Sequence, residues 1–158
     1  MPFAIGCSAQ SDTEVDGAYV PSDTVEIVAS NRNSYAPNPP AGSTCRGTDD
    51  TFTFKIATRE LSFRACRRQA SGLYDYSTGS RVLSVEEAKP VFAALNAVRD
   101  AERKYCAEDV GATSLRVATS AGANELIDAQ NACNGAPGTY VDGIDDVLRA
   151  MGPLTKGP

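Results

Sequence analysis

Histidine is absent from all 158 residues. That removes the commonest general base, the usual partner of a nucleophilic serine and the commonest metal ligand together. Catalysis would have to rest on carboxylates, lysine or a lone serine. The sequence also lacks a Gly-x-Ser-x-Gly elbow, a phosphate loop and a dinucleotide fingerprint. The adjacent acids Glu86 and Glu87, like Asp145 and Asp146, point in different directions around a helix and bring no two carboxyl groups face to face. A small enzyme is therefore disfavoured, and no cofactor is expected. No Cys-x-x-Cys pair occurs, and zinc without histidine would need four widely spread thiolates. Neither Thr48-Asp49-Asp50 nor Asp142-Gly143-Ile144-Asp145-Asp146 follows the calcium loop with its alternating ligands and terminal glutamate. Turn chemistry and helix capping account for both, so no metal is expected. Positive charge is in deficit: the net charge is −5 and the pI about 4.7. Nucleic acid, bound by neutralising phosphates, is not an expected partner. Nor does any apolar run approach the ~20 residues that span a bilayer. Membrane contact, if made, runs through lipid.

What is present fits one globular domain with its own core, at 42% hydrophobic and 22% charged residues. Near the start, Phe3-Ala4-Ile5-Gly6-Cys7-Ser8 is a short apolar run that ends in glycine, cysteine and serine and then turns polar. Ala4-Ile5-Gly6-Cys7 resembles the lipobox of bacterial lipoproteins, with Ala4 where leucine is usual. The resemblance implies cleavage before Cys7, acylation of its sulfur and new amino terminus, and attachment to a membrane. A full signal peptide carries a charged region and roughly 7–15 apolar residues, so residues 1–7 read as a residual signal. Ser8 in place of aspartate implies, in the enteric lipoproteins, sorting to the outer membrane.

The cysteine count agrees. Of five cysteines, setting Cys7 aside leaves Cys45, Cys66, Cys106 and Cys133, an even set that suits two disulfides in an oxidising compartment. Three connectivities are open. Cys45–Cys66 with Cys106–Cys133 is favoured because each bridge would join the flanks of one hairpin or helix-hairpin unit.

Residues 8–22, polar and acidic, read as a flexible tether. Residues 23–152 form the domain and 153–158 a tail. Thr24-Val25-Glu26-Ile27-Val28 suits a first strand. The segment 31–44, with Pro37, Pro39, Pro40 and Gly42, reads as a long loop. From Thr51 to Cys66, two alternating arms predict a hairpin around residues 57–60, pairing Ile56 with Leu61, Phe54 with Phe63 and Phe52 with Ala65. Residues 67–80 read as a polar loop carrying Tyr74 and Tyr76, followed by a short strand at 81–83. Ser84-Val85-Glu86-Glu87 matches a capping box and opens a helix. Its apolar stripe runs through Ala88, Val91, Phe92, Leu95, Val98 and Tyr105, with a kink or a short first turn expected at Pro90. A second hairpin is expected at 114–127, and a terminal helix from Tyr140 to Met151. The sum is an α+β fold: an antiparallel sheet built from hairpins, with a central and a C-terminal helix on one face.

Candidate binding residues are the basic strip Lys55, Arg59, Arg64, Arg67 and Arg68, with Tyr74 and Tyr76 beside it. In an acidic protein they suggest contact with an acidic polysaccharide, lipid headgroups or an acidic protein. The sequence thus points to a lipid-anchored envelope protein, in the periplasm or on the outer surface, that binds or scaffolds a protein or polysaccharide partner. The alternative is a secreted protease inhibitor presenting the proline-rich loop 31–44 in extended form.

Overall fold

Period-two alternation in the first half of the chain becomes a run of antiparallel strands. A computed structural model of the protein describes residues 14–32, 38–47, 49–106 and 111–156. In chain order the elements are β1 (Thr24–Arg32), β2 (Asp50–Lys55), β3 (Glu60–Arg68), β4 (Tyr74–Val82), α1 (Val85–Asn96), β5 (Arg99–Asp100), β6 (Ala112–Thr119), β7 (Gly122–Asp128), β8 (Thr139–Asp142) and α2 (Ile144–Met151). They make one eight-stranded sheet in the order β4-β3-β2-β1-β6-β7-β8-β5, in which only β7 and β8 run parallel. The fold is the expected α+β arrangement.

Both helices lie on one face of this sheet. Ile27, Phe52, Phe54, Leu61, Leu115, Val117, Leu126 and Val141 point from the strands into a core closed by Ala88, Val91, Phe92 and Leu95 of α1 and Ile144, Val147 and Met151 of α2. Phe54 meets Phe92 edge to face, with ring centroids 5.7 Å apart. The other face carries Thr51, Thr53, Lys55, Ser62, Arg64, Ser114 and Arg116 and, among the described residues, has no helix over it. This is the half-buried sheet that alternation in Thr51–Cys66 predicts.

The β2–β3 register differs from expectation by two residues. Phe54 pairs with Leu61, Phe52 with Phe63 and Asp50 with Ala65. The turn is Ile56-Ala57-Thr58-Arg59, because Ile56 leaves the hairpin to donate its N–H to the carbonyl of Val25 at 3.1 Å. A shift of two keeps every side chain on its predicted face, so the core was correct although the pairs were not.

Three further elements depart from expectation. The segment 67–80 is mostly strand: β3 continues to Arg68, a tight turn closes with Gln69 N–H to Leu73 O at 2.8 Å, and β4 begins at Tyr74. α1 stops at Asn96, so Val98 is buried beyond the helix and Tyr105 stands about half exposed. The helix runs without a break through Pro90. Tyr140 and Val141 belong to β8, and α2 starts only after Gly143, whose φ of 103° turns the chain. The capping box is formed as expected, with Glu87 N–H to Ser84 Oγ at 3.2 Å and Ser84 N–H to Glu87 Oε2 at 2.9 Å.

The expected tether 8–22 is not free along its whole length. Residues 8–13 and Cys7 lie outside the described residues. From Glu14 onward the chain is fixed: Val15 and Val20 are buried in the core, and the Asn96 amide accepts from Asp16 N–H at 2.8 Å and donates to Glu14 O at 2.9 Å. Gly17 passes so close that a Cβ there would lie 3.0 Å from Asn96 Cα. Two valines in a polar run were enough to turn a spacer into part of the domain.

Candidate functional site

The open face is most distinctive at the β3–β4 end. Alternation aims Arg64, Cys66 and Arg68 of β3 outward, and the register sets Thr78, Tyr76 and Tyr74 of β4 opposite them. Arg64 lies over the Tyr76 ring, with the guanidinium carbon 3.3 Å from the ring centroid, a stacked cation–aromatic pair. The Tyr76 hydroxyl donates to the Asp49 carboxylate. That bond, and then burial, raise the phenol pKa, so the hydroxyl stays a donor. Asp75 is held below the usual carboxylate range by the Thr44 hydroxyl and the Tyr76 N–H.

A disulfide is the floor of this patch. Cys45 joins Cys66 and Cys106 joins Cys133, the favoured pairing. Cys66 is 1% exposed and Cys45 6%, although Cys66 points to the open face, because the 38–47 loop folds over it. Thr44 N–H donates to Tyr74 O at 2.9 Å and Tyr74 N–H to Ser43 Oγ at 3.0 Å, which binds the loop to the start of β4. The bridge thereby brings Arg46 to the same corner. Among the described residues Arg46, Arg64 and Arg68 make no ion pair.

The rest of the predicted strip disperses. Lys55 is on the open face but pairs with Glu60 at 3.0 Å, an exposed contact of small energetic value. Arg67 has the opposite parity: its Nη1 reaches both Asp50 carboxylate oxygens at 3.0 and 3.1 Å and the Cys66 carbonyl at 2.9 Å. It straps the hairpin end together, with its side chain only partly exposed. Arg59 sits in the β2–β3 turn at φ 53°, the only non-glycine residue with positive φ among the described residues. Its Nε donates to Leu83 O at 3.1 Å while its carbonyl accepts from Leu83 N–H at 2.9 Å. Arg59 also borders a separate open cleft of about 340 Å³ on the helical side, walled by Val15, Ile56, Val85 and Phe92 with Glu14 at its rim.

No family model, no curated protein and no solved structure matches the chain. The site therefore rests on its own chemistry. It offers two phenol rings, one of them stacked under Arg64, and three guanidinium groups that make no ion pair among the described residues, on a surface fixed by a disulfide. Sequence reading missed Arg46, whose only signal was its place after a bridged cysteine, and Asp49, which a turn assignment absorbed. Among the described residues no group of acids and cysteines is arranged to hold a metal ion, and no helix is long and apolar enough to cross a membrane. The two disulfides indicate an oxidising, extracytoplasmic compartment.

Proposed function

We propose that this chain is a non-catalytic, lipid-anchored binding module of a bacterial outer membrane, tethered through Cys7, whose open sheet face holds an acidic envelope polysaccharide. The observation that carries this reading is the corner at Cys66: Arg64, Arg68 and Arg46 stand exposed without an acidic partner among the described residues, in a protein of net charge −5, with Tyr74 and Tyr76 beside them. Sugar rings stack on phenols, and uronate or sulfate groups meet guanidinium in bidentate fashion. The route of the chain supports the same reading. Glu14 and Asp16, at the start of the described chain, are tied to Asn96 of α1, so the chain enters the domain on the helical side and leaves the open face uncovered by that segment.

Two measurements test the proposal. Calorimetric titration with polygalacturonate should give binding that weakens with added salt, while a neutral glucan should not bind. Changing Arg64 and Arg68 together to alanine should weaken it at least about tenfold. Equal binding by the double variant, or by the neutral polymer, refutes the ligand assignment. Intact mass of the protein extracted from its native membranes should show a diacylglyceryl group on Cys7, and an unmodified Cys7 refutes the anchor.

A further inference from the structure

The two edges of the sheet are treated differently. One ends in β5, two residues long and both charged, Arg99 and Asp100, which is how natural sheets prevent edge-to-edge pairing. The other ends in β4, nine residues long, with neither proline nor lysine in Tyr-Asp-Tyr-Ser-Thr-Gly-Ser-Arg-Val. Its one cation, Arg81, is bound to Glu87 of α1.

Which backbone groups this edge offers follows from the bonds at its two ends. Leu83 N–H points inward to Arg59 O, whereas Tyr74 uses its N–H and C=O on the outer side, with Ser43 and Thr44. Alternation then sends the odd-numbered groups of β4 to β3 and the even-numbered groups away from it. Tyr74 is covered by the loop, and Tyr76 N–H is held by Asp75 Oδ1 at 2.8 Å. The N–H and C=O groups of Thr78, Ser80 and Val82 remain, aimed at the edge with no partner among the described residues. Val82 is 64% exposed, the most exposed large apolar side chain described.

We infer that this edge binds a second copy of the chain, β4 to β4 and antiparallel, about a two-fold axis at Ser80. The segment is self-complementary in that register. Thr78 faces Val82 of the second copy, Ser80 faces Ser80 of the second copy, and Gly79 faces Arg81 of the second copy. No like charges stand directly opposite one another, the two Arg81 groups are diagonal neighbours each bound to its own Glu87, and the exposed valine gains a β-branched neighbour. The limits agree as well: Tyr76, where the free edge ends, falls opposite Ser84 of the second copy, where α1 begins. Gly79 leaves room beside Arg81, and its lack of a side chain is already required because a Cβ would lie 2.6 Å from the Phe63 ring. The result is one continuous sheet with the Arg64–Tyr76 corners of both copies on the same open face.

The test is sedimentation equilibrium on the full chain from micromolar to millimolar concentration, with variants at the axis. The wild type should dimerise. Ser80→Lys and Ser80→Glu should each remain monomeric, because the axis sets two like charges side by side. An equimolar mixture of the two should recover the dimer, which shows that both variants are folded. Backbone amide exchange on the wild type provides a readout without substitution: Thr78, Ser80 and Val82 should gain protection as concentration rises. A wild type that stays monomeric, a dimer that survives in both charged variants, a mixture that fails to associate, or dimerisation that leaves those three amides unprotected overturns the inference.

Discussion

Removing the two disulfides separately should destabilise the protein unequally, and the structure fixes the order. The bridges close loops of similar length, with sequence separations of 21 for Cys45–Cys66 and 27 for Cys106–Cys133. The chain-entropy relation for a cross-link gives about 3.3 kcal/mol for the first and about 3.5 kcal/mol for the second at 25 °C. On entropy alone the longer loop matters slightly more. Burial reverses that order. Cys45 and Cys66 are 6% and 1% exposed and lie between the 38–47 loop and the sheet, whereas Cys106 and Cys133 are exposed. Replacing the first pair by alanine also forfeits packed sulfur and frees the loop that seals it, a further loss of about 1–2 kcal/mol. Urea unfolding followed by circular dichroism should give a loss of about 4–5 kcal/mol for C45A/C66A and about 3.5 kcal/mol or less for C106A/C133A. Both variants should show a larger m-value, because their unfolded chains are less constrained. Equal losses, or a greater loss for C106A/C133A, would refute the argument that burial rather than loop length ranks the two bridges.

Other substitutions probe the fold at single points. Ser84→Ala removes the acceptor of Glu87 N–H and half of the capping box, and should cost about 1 kcal/mol in thermal unfolding. Gly138→Ala should cost at least about 2 kcal/mol, since φ there is 148° and a Cβ would lie 2.8 Å from Glu125 O, on the strand that β8 must join; an unchanged melting temperature would contradict that geometry. Asp128 is buried and its pKa is raised, first by burial and then by the charges of Asp145 and Asp142, against the Gln130 N–H that favours the ionised form. A carboxyl whose folded pKa exceeds its unfolded value costs stability as pH rises through the interval between the two, and costs nothing below it. Asp128→Asn should therefore melt higher than the wild type at neutral pH and lose that advantage on acidification below the unfolded carboxylate range. An advantage that persists in acid would show that ionisation is not its source.

Much of this architecture was legible because it depends on local patterns. Alternation in Thr51–Cys66 marked the buried face even where it mispaired the strands, since a slip of two residues preserves the side chains' facing. The Ser84–Glu87 capping box needed only four residues to be recognised. What escaped was set by distant partners. Tyr74–Ser80 has no apolar alternation, because its positions on the helix-side face are Asp75, Ser77 and Gly79, all exposed at the sheet edge, with Phe63 of β3 lying over the glycine. Its strand character comes from pairing with β3 and from the loop that closes over Tyr74. Tyr140–Val141 is a strand because β7 and β5 lie on either side of it. At the candidate site, parity along β3 separated Arg64 and Arg68 from Arg67, as the sequence allowed. Nothing local showed that Arg67 would be taken by Asp50, or that Arg46 would arrive through a disulfide.

The Asn96 amide and the two valines it accompanies have a mechanical consequence. A pull applied along the leading residues is met first by that amide pair and by Val15 and Val20. Only after they give way does tension reach β1, which is laced to a neighbour on each side. The leading segment works as a cord grip does on an appliance, taking the tug so that the joint behind it stays quiet.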